Sequence, residues 1–399
     1  MNDVALRDLR YSELIWLVPF VCIGLVASAL FRPLPVFHRP AKGRVVVDAE
    51  GTPVEVSVPF RGAVLTWCTF TDAYLLATRA PETLLLSAHM DRTGFADSTM
   101  SWIHPEVLKN DSIWNPAVVY RGRGAHAEIE TLYAYDAGAF LGNSLGSVPL
   151  LRRVGLPALY VSMHEKNWDE VCFSTARIDT ALIGHPERGE ALISSYRQAY
   201  ADLARDLKPE SLVQHPRVLI MGSSKGDTGW LYVKSERNSY QIYLPPAGVD
   251  NASIGFTGER PDAERILAMD PDIVFLVGRS DGKHPQQGPQ EFMHDSRWLG
   301  LKAVQQRRVY RMPGFGPGGL AGLQLQPIWV RWMAEIAHPE RLEPTLRQSL
   351  RDNFRQKFGY QISDEQIDFL LHVDENQGSA GYGRFMANSV VKIESPALK

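Results

Sequence analysis

A long amphipathic stretch near the middle of the chain constrains the fold more than any other feature of the sequence. Residues 187–208 read ERGEALISSYRQAYADLARDLK, and their apolar side chains recur every three or four positions, the period of an α-helix with one buried face. This apolar stripe consists of Leu192, Tyr196, Ala199, Leu203 and Leu207. Pro186 suits a first helical position, and Pro209 prevents the helix from continuing. The sequence predicts a helix of about 30 Å. Such a helix could connect two domains, although a surface helix of a single domain has the same pattern.

The composition allows two domains and gives no indication of nucleic-acid binding. The chain has 399 residues, of which 45% are hydrophobic and 22% charged, so that two separate cores can form. A formal net charge of −3 does not indicate the basic surface that nucleic acid requires. The cysteines are Cys22, Cys68 and Cys172, and their spacing does not suit zinc. Cys68 and Cys172 could form a disulfide in an oxidising compartment or remain as two buried thiols.

An apolar run close to the N-terminus indicates export. Residues 14–30 (LIWLVPFVCIGLVASAL) carry no charge and end in an A-x-A pattern, as a secretory signal peptide does. The run is also nearly long enough for an uncleaved membrane anchor, and a buried core helix is the remaining alternative. Residues 31–42 are rich in proline and arginine and read as a linker. Residues 1–42 are therefore predicted to be a signal peptide or anchor followed by a linker.

Short apolar runs alternate with helical patterns on both sides of the long helix. Before it, the sequence predicts strands at 44–48, 54–58, 83–88, 137–141 and 157–162, and helices at 62–77, 128–135, 148–154 and 169–182. After it, strands are predicted at 217–221, 272–277 and 308–312, with helices at 263–269, 298–305, 326–337, 345–358 and 363–371. This alternation is typical of α/β folds with mainly parallel sheets flanked by helices. We predict an N-terminal lobe at 43–184, an inter-lobe helix at 185–209, a C-terminal lobe at 210–375 and a tail at 376–399.

Two G-x-S-x-G patterns support an alternative reading as an enzyme. They occur at 142–146 and 222–226, and each follows a predicted strand, which is where an α/β hydrolase carries its nucleophile. In an exported serine hydrolase, Ser144 or Ser224 would act with Asp281 and with His284 or His294. Glycine and serine at the end of a parallel strand also simply form a turn and line a crevice. The sequence has no P-loop, G-x-G-x-x-G, H-E-x-x-H or EF-hand pattern, so we predict no cofactor.

Several segments together resemble one family of transport proteins. Residues 128–132 (EIETL) precede 136–141 (DAGAFL), and 263–267 (AERIL) precede 270–275 (DPDIVF), so each half has a helix with an early glutamate followed by a strand. Further resemblances lie in SRWLGLKAV (296–304), RRVYRMP (307–313), AGVDNA (247–252) and the helix that includes WMA (332–334). Over residues 43–375 the chain resembles the helical-backbone class of periplasmic binding proteins of ABC importers. Members of this class carry iron–siderophore complexes, haem, cobalamin, molybdate or tungstate.

The resemblance implies a function in transport without catalysis. Such a protein captures its ligand in the cleft between the lobes and delivers it to an ABC permease dimer with its ATPase, outside the cytoplasmic membrane. An exposed glutamate on each lobe docks to the permease, and these correspond to Glu130 and Glu264 here. The resemblance places the ligand at the carboxyl ends of the strands. It implies as ligand-binding residues Arg61, Trp67, His89, Asn143, Ser144, Ser223, Arg279, Arg311 and Phe315.

The arginines among these residues indicate an anionic ligand, because guanidinium groups bind carboxylate and phosphate well. An iron–siderophore complex is the predicted cargo, with haem, cobalamin, molybdate or tungstate as alternatives, and no metal-ligating residue is assigned. Residues 95–126 show no clear alternation and look like an insertion relative to simpler members of the class. An anchored envelope protein with a degenerate cleft is a third alternative.

Overall fold

An antiparallel hairpin opens the part of the chain that the structure, a computed structural model, describes. The described residues are 43–65, 68–87, 92–96, 98–114, 136–143, 145–162, 168–223, 231–233, 243–256, 261–277, 287–314 and 325–387. Strands β1 (Gly43–Val47) and β2 (Pro53–Ser57) form the hairpin. Its turn forms because Gly51 adopts a φ of 79° and because Asp48 Oδ1 accepts hydrogen bonds from the backbone N–H groups of Glu50 and Thr52. The predicted export segment lies outside the described residues.

The N-terminal lobe is built on a four-stranded, fully parallel sheet. Its strands are β3 (Ala63–Leu65), β4 (Leu84–Ser87), β5 (Ala139–Gly142) and β6 (Ala158–Tyr160), in the order β4-β3-β5-β6. These strands are short apolar runs because helices cover the sheet and leave almost none of its side chains exposed. The helices that the structure describes in this lobe are α1 (Cys68–Thr78), α2 (Arg92–Ala96), α3 (Thr99–Ile103), α4 (Ser147–Arg153) and α5 (Trp168–Leu182). The helix predicted at 128–135 lies outside the described residues. The single helix predicted at 62–77 is wrong in its first turn, which forms β3 instead.

The long helix predicted from the apolar stripe is confirmed as α6 (Pro186–Leu207), with 22 residues. Pro186 occupies the first turn, and Lys208 ends the helix in the left-handed conformation with a φ of 49°. The fully buried apolar side chains are Ile193, Tyr196, Leu203 and Leu207. Leu192 and Ala199, which belong to the predicted stripe, are only partly buried, so the buried face is rotated slightly from the predicted one.

The C-terminal lobe is built on a second, mainly parallel sheet. Its strands are β7 (Arg217–Ser223), β8 (Leu231–Val233), β9 (Asp250–Asn251), β10 (Ile273–Leu276) and β11 (Val309–Arg311). The order is β11-β10-β7-β8, with β9 also paired to β7, and only β8 runs antiparallel. The helices are α7 (Ala263–Met269), α8 (Pro289–His294), α9 (Lys302–Gln305), α10 (Gln326–Ala337), α11 (Leu346–Phe358), α12 (Asp364–Leu370) and α13 (Val373–Asn376). The predicted α/β fold of two mainly parallel sheets joined by one long helix is therefore confirmed.

Two sequence predictions in the C-terminal lobe need correction. Of the helix predicted at 298–305, only α9 is an α-helix, because Trp298 lies in a turn and is fully buried. The predicted tail does not begin at residue 376: Tyr382 and Phe385 are buried in the same core as the β-sheet side chains. The Tyr382 hydroxyl also donates a hydrogen bond to the backbone oxygen of Leu371. Residues 376–387 therefore belong to the C-terminal lobe.

In addition to α6, two side-chain contacts join the lobes. Phe358, the last residue of α11, packs against the cores of both lobes. Trp102 of α3 meets Phe369 of α12 edge to face, with 5.9 Å between the ring centroids.

Candidate ligand-binding site

Arg311 marks the carboxyl end of β11, the strand at the edge of the C-terminal sheet. Its backbone N–H donates to Asn376 Oδ1 over 2.7 Å, and its backbone oxygen accepts from Asn376 Nδ2 over 3.0 Å. The amide of Asn376 thus completes the exposed edge of β11 as a neighbouring strand would. Because Asn376 is itself fully buried, the backbone of Arg311 is held firmly in place.

The side chain of Arg311 lies in a partly satisfied cluster of charged groups. Its Nε donates to Glu375 Oε2 over 3.1 Å, and Nδ1 of His372 lies 3.1 Å from Glu375 Oε1. The hydrogen bond from His372, together with the charge of Arg311, lowers the pKa of Glu375 to about 2, against the opposing effect of burial. The Arg311 side chain is only 12% exposed, and its Nη1 is buried with no hydrogen-bond partner among the described residues. A buried guanidinium therefore retains a donor for an additional acceptor.

An aromatic surface adjoins this charged cluster. The ring of Phe369 is 6.5 Å from that of His372 and is 56% exposed, an unusual exposure for a large apolar side chain. Trp102 approaches the same ring from the N-terminal lobe. Charged and aromatic groups of the C-terminal lobe therefore meet the N-terminal lobe at this point. The arrangement can bind an anionic group through Arg311 and an apolar surface through the rings.

Two of the predicted ligand-binding residues lie at the carboxyl ends of strands as expected. Asn143 directly follows β5 and is partly buried, and Arg311 ends β11. The backbone of Ser223 ends β7, while its side chain lies outside the part of the chain that the structure describes. The remaining predicted residues also lie outside that part, and they are Trp67, His89, Ser144, Arg279 and Phe315.

The predicted position of Arg61 is wrong. Arg61 precedes β3, and its Nη1 donates over 2.5 Å to Asp136, which precedes β5. Because β3 and β5 are parallel, both residues lie at the amino ends of their strands, on the opposite edge of the sheet from Asn143. The ion pair links two loops there, and it does not place Arg61 with the carboxyl ends of the strands.

Glu264, the predicted docking residue of the C-terminal lobe, is exposed in the first turn of α7. The helix begins at Asp262, whose side chain accepts a hydrogen bond from the backbone N–H of Arg265 over 2.8 Å. Since α7 leads into the amino end of β10, its first turn lies towards the carboxyl end of that strand. Glu130, the predicted counterpart in the N-terminal lobe, lies outside the described ranges.

The sequence did not indicate the partners of Arg311. His372 and Glu375 lie more than 60 positions away in the chain, beyond the helix predicted at 363–371, and Phe369 reads as one more apolar position of that helix. The described residues contain no group of three or more His, Cys, Asp or Glu side chains placed to hold a metal ion. Within the same residues, no helix combines the length and the apolar character that crossing a membrane requires.

Comparison with solved structures identifies the fold as that of two-lobed solute-binding proteins. A periplasmic solute-binding protein of Veillonella parvula superposes with a TM-score of 0.71 at 18% identity, covering 84% of this chain and 99% of that one. The molybdate periplasmic binding protein of Haemophilus influenzae gives 0.64 at 14% identity, covering 80% and 99% of the two chains. A periplasmic heme-binding protein of Pseudomonas aeruginosa gives 0.51 at 19% identity, covering 71% and 94%. At these identities the likeness concerns the fold alone.

The sequence comparisons relate part of this chain to one family. No curated protein matches the sequence of this chain. The family described as periplasmic binding protein matches residues 153–314, which run from the end of α4 through α6 to the loop after β11. This family consists of substrate-binding transport proteins rather than enzymes, so the hydrolase alternative is set aside. The family implies a periplasmic location and delivery to an ABC permease. Over residues 153–314 the chain matches the periplasmic binding protein family, and its fold is that of the two-lobed solute-binding proteins.

Proposed function

We propose that this protein captures an anionic metal chelate of the iron–siderophore type between its lobes and delivers it to an ABC permease. The main support for the proposal is the buried guanidinium of Arg311 at the carboxyl end of β11. Its Nη1 donor has no hydrogen-bond partner among the described residues. A buried unsatisfied donor has a free-energy cost of about 1–3 kcal/mol, which an acceptor on a ligand removes.

Glu375 sets the kind of anion that Arg311 can bind. Because its pKa is about 2, Glu375 stays ionised at every physiological pH and offsets part of the charge of Arg311. A small, strongly hydrated oxyanion such as molybdate gains little at a partly neutralised guanidinium. A chelate gains more, since its charge is spread over a large surface and its organic part can contact the exposed ring of Phe369.

The remaining residues of the site complete the proposal. Asn143 lies at the carboxyl end of β5 and Ser223 ends β7. The segments that follow strands of the two sheets include Trp67, His89, Ser144, Arg279 and Phe315. A chelate between the lobes would contact some of these side chains from both sides. Arg61 is left out, because it lies at the amino ends of β3 and β5.

The cargo is tested with purified full chain and a panel of ferric siderophores, haem, cobalamin and molybdate. A ligand at about 100 times its dissociation constant adds about 2.7 kcal/mol to the free energy of unfolding, and thermal denaturation detects this. We expect stabilisation by a ferric siderophore. Stabilisation by molybdate alone would contradict the argument from Glu375 and Phe369, and stabilisation by none of the panel would refute the chelate proposal.

The role of Arg311 is tested by comparing two substitutions that remove one positive charge each. Arg311→Gln is expected to weaken binding of the stabilising chelate by roughly 10- to 100-fold, the loss of one charge-assisted hydrogen bond. The control is Arg153→Gln, an exposed position at the end of α4. Equal affinities for both variants would show that Arg311 does not contact the ligand.

The docking proposal concerns Glu264 and Glu130, which would meet basic groups on the permease. Exposed ion pairs are individually weak and contribute mainly to orientation. Glu264→Lys is expected to leave chelate affinity unchanged and to reduce ligand-dependent stimulation of the permease ATPase in proteoliposomes. Glu210→Lys makes the same charge reversal at another exposed position of the C-terminal lobe and serves as the control. Equal stimulation by both variants would refute a docking role for Glu264.

A further inference from the structure

A basic groove lies away from the carboxyl ends of the strands, where α1, α6 and α11 meet. Its volume is about 320 Å³, and its lining includes the cationic side chains of Arg79, Arg188 and Lys357. Each cation comes from a different part of the fold: Arg79 follows α1, Arg188 lies in the first turn of α6, and Lys357 lies in the last turn of α11. Among the described residues that line the groove, none is acidic.

The position of Arg188 in its helix does not explain its positive charge. Arg188 lies at the amino end of a helix, where the macrodipole disfavours a cation. It donates one hydrogen bond to the backbone oxygen of Thr78 over 2.9 Å. Burial and the charge of Arg188 lower the pKa of Arg79, and burial lowers the pKa of Lys357 to about 8. The groove therefore concentrates positive charge that an anion would stabilise.

A second cavity also contains arginine side chains but differs from the basic groove in its charge composition. That cavity has a volume of about 260 Å³ and is lined in part by Arg308, Arg384 and Glu335. Arg308 donates to the backbone oxygen of Ile336, and Arg384 donates to the backbone oxygens of Glu335 and Leu342. Two carboxylates, those of Glu335 and Glu340, lie in the same lining. The basic groove contrasts with this cavity in having no acidic lining residue among those described.

We propose that the basic groove binds a phosphate group, either as inorganic phosphate or as a small soluble phosphate monoester. Two guanidinium groups and an ammonium group match the acceptors of a phosphate. The exposed Ser195 and Gln356 add a hydroxyl and an amide donor at its rim, while Leu76 contributes to an apolar wall. A bound phosphate would bridge the N-terminal lobe, the inter-lobe helix and the C-terminal lobe, and would therefore oppose their separation.

The test uses two neighbouring serines on α6. Ser195→Glu places a carboxylate at the rim of the groove, whereas Ser194→Glu makes the same change at an adjacent exposed position that does not line it. Isothermal titration calorimetry of the full chain measures binding of inorganic phosphate and of glycerol 3-phosphate at constant ionic strength. We expect the native chain and Ser194→Glu to bind with similar affinity, and Ser195→Glu to bind at least about tenfold more weakly, owing to repulsion between like charges.

The outcomes separate the two ligand sources and can overturn the proposal. Binding of glycerol 3-phosphate but not of inorganic phosphate assigns the groove to a monoester, and the reverse result assigns it to the free ion. Arg79→Gln provides a second variant with an exposed side chain, and we expect it to weaken binding as well. Failure of both phosphates to bind the native chain, or equal binding by all variants, refutes the proposal. The cargo assay is independent of this result, because the groove does not include Arg311.

Discussion

Asp179 of α5 is predicted to make the stability of this protein depend on pH in an unusual direction. The residue is 1% exposed, and both of its carboxyl oxygens are buried without a hydrogen-bond partner among the described residues. Desolvation raises the pKa of Asp179 well above its ordinary value, so that the folded state favours the protonated acid. In the unfolded chain the same carboxyl ionises at its ordinary pKa.

The direction of this pH dependence follows from the number of protons bound in the folded and unfolded states. Between the unfolded and the folded pKa, the folded protein holds a proton that the unfolded chain has released, so the free energy of unfolding falls as pH rises. This slope is about 1.4 kcal/mol per pH unit for one such group. The full stabilisation is present below the unfolded pKa and is lost as pH rises through the folded pKa. Asp179→Asn keeps the shape of the side chain and removes this contribution.

The assay is urea denaturation followed by tryptophan fluorescence at pH 5, 6 and 7. Relative to the native chain, Asp179→Asn is expected to gain about 1.4 kcal/mol for each of these pH units, as long as the folded acid remains protonated. The exposed Asp374→Asn serves as the control and is expected to stay within about 0.5 kcal/mol of the native chain at each pH. Parallel pH profiles for the native chain and Asp179→Asn would show that the buried carboxyl has an ordinary pKa and would refute the reasoning.

Three further substitutions test contacts that hold the fold and join the lobes. Tyr196→Phe removes a hydroxyl that donates to Asp169 of α5, and should lower the free energy of unfolding by about 1–2 kcal/mol in urea denaturation; an unchanged value would contradict this. Ser363→Ala removes the cap whose Oγ accepts from the backbone of Gln366, and should destabilise by about 1 kcal/mol in the same assay unless water replaces the cap. Trp102→Ala removes the contact with Phe369 and should speed amide exchange in α12 but not in β10, whereas unchanged exchange in α12 would show that the contact does not restrain that helix.

The sequence predicted the position of a candidate site residue only where that position follows from the end of an apolar strand. Arg311 and Asn143 were correctly placed because each ends an apolar run, and the carboxyl ends of parallel strands lie at one edge of a sheet. Arg61 was misplaced because the residues after it were read as a helix, which hid the start of β3. With β3 assigned, Arg61 lies at an amino end and its ion pair with Asp136 follows.

The sequence alone determined the local elements and their alternation. The inter-lobe helix and the capping box at Ser363 follow from periodicity and from side chains within four positions of each other, and both occur in the structure. Hydrophobic patterning of this kind requires no knowledge of distant contacts.

Only the tertiary structure determined which residues that are distant in the sequence contact each other. It brought His372 and Glu375 to Arg311, set Trp102 of one lobe against Phe369 of the other, and gathered three cations into the basic groove. It also drew Tyr382 into the core from a stretch that looks like a polar tail. These contacts join residues far apart in the chain, and their free energy depends on burial and on the surrounding charges, neither of which is encoded in the local pattern around any one residue.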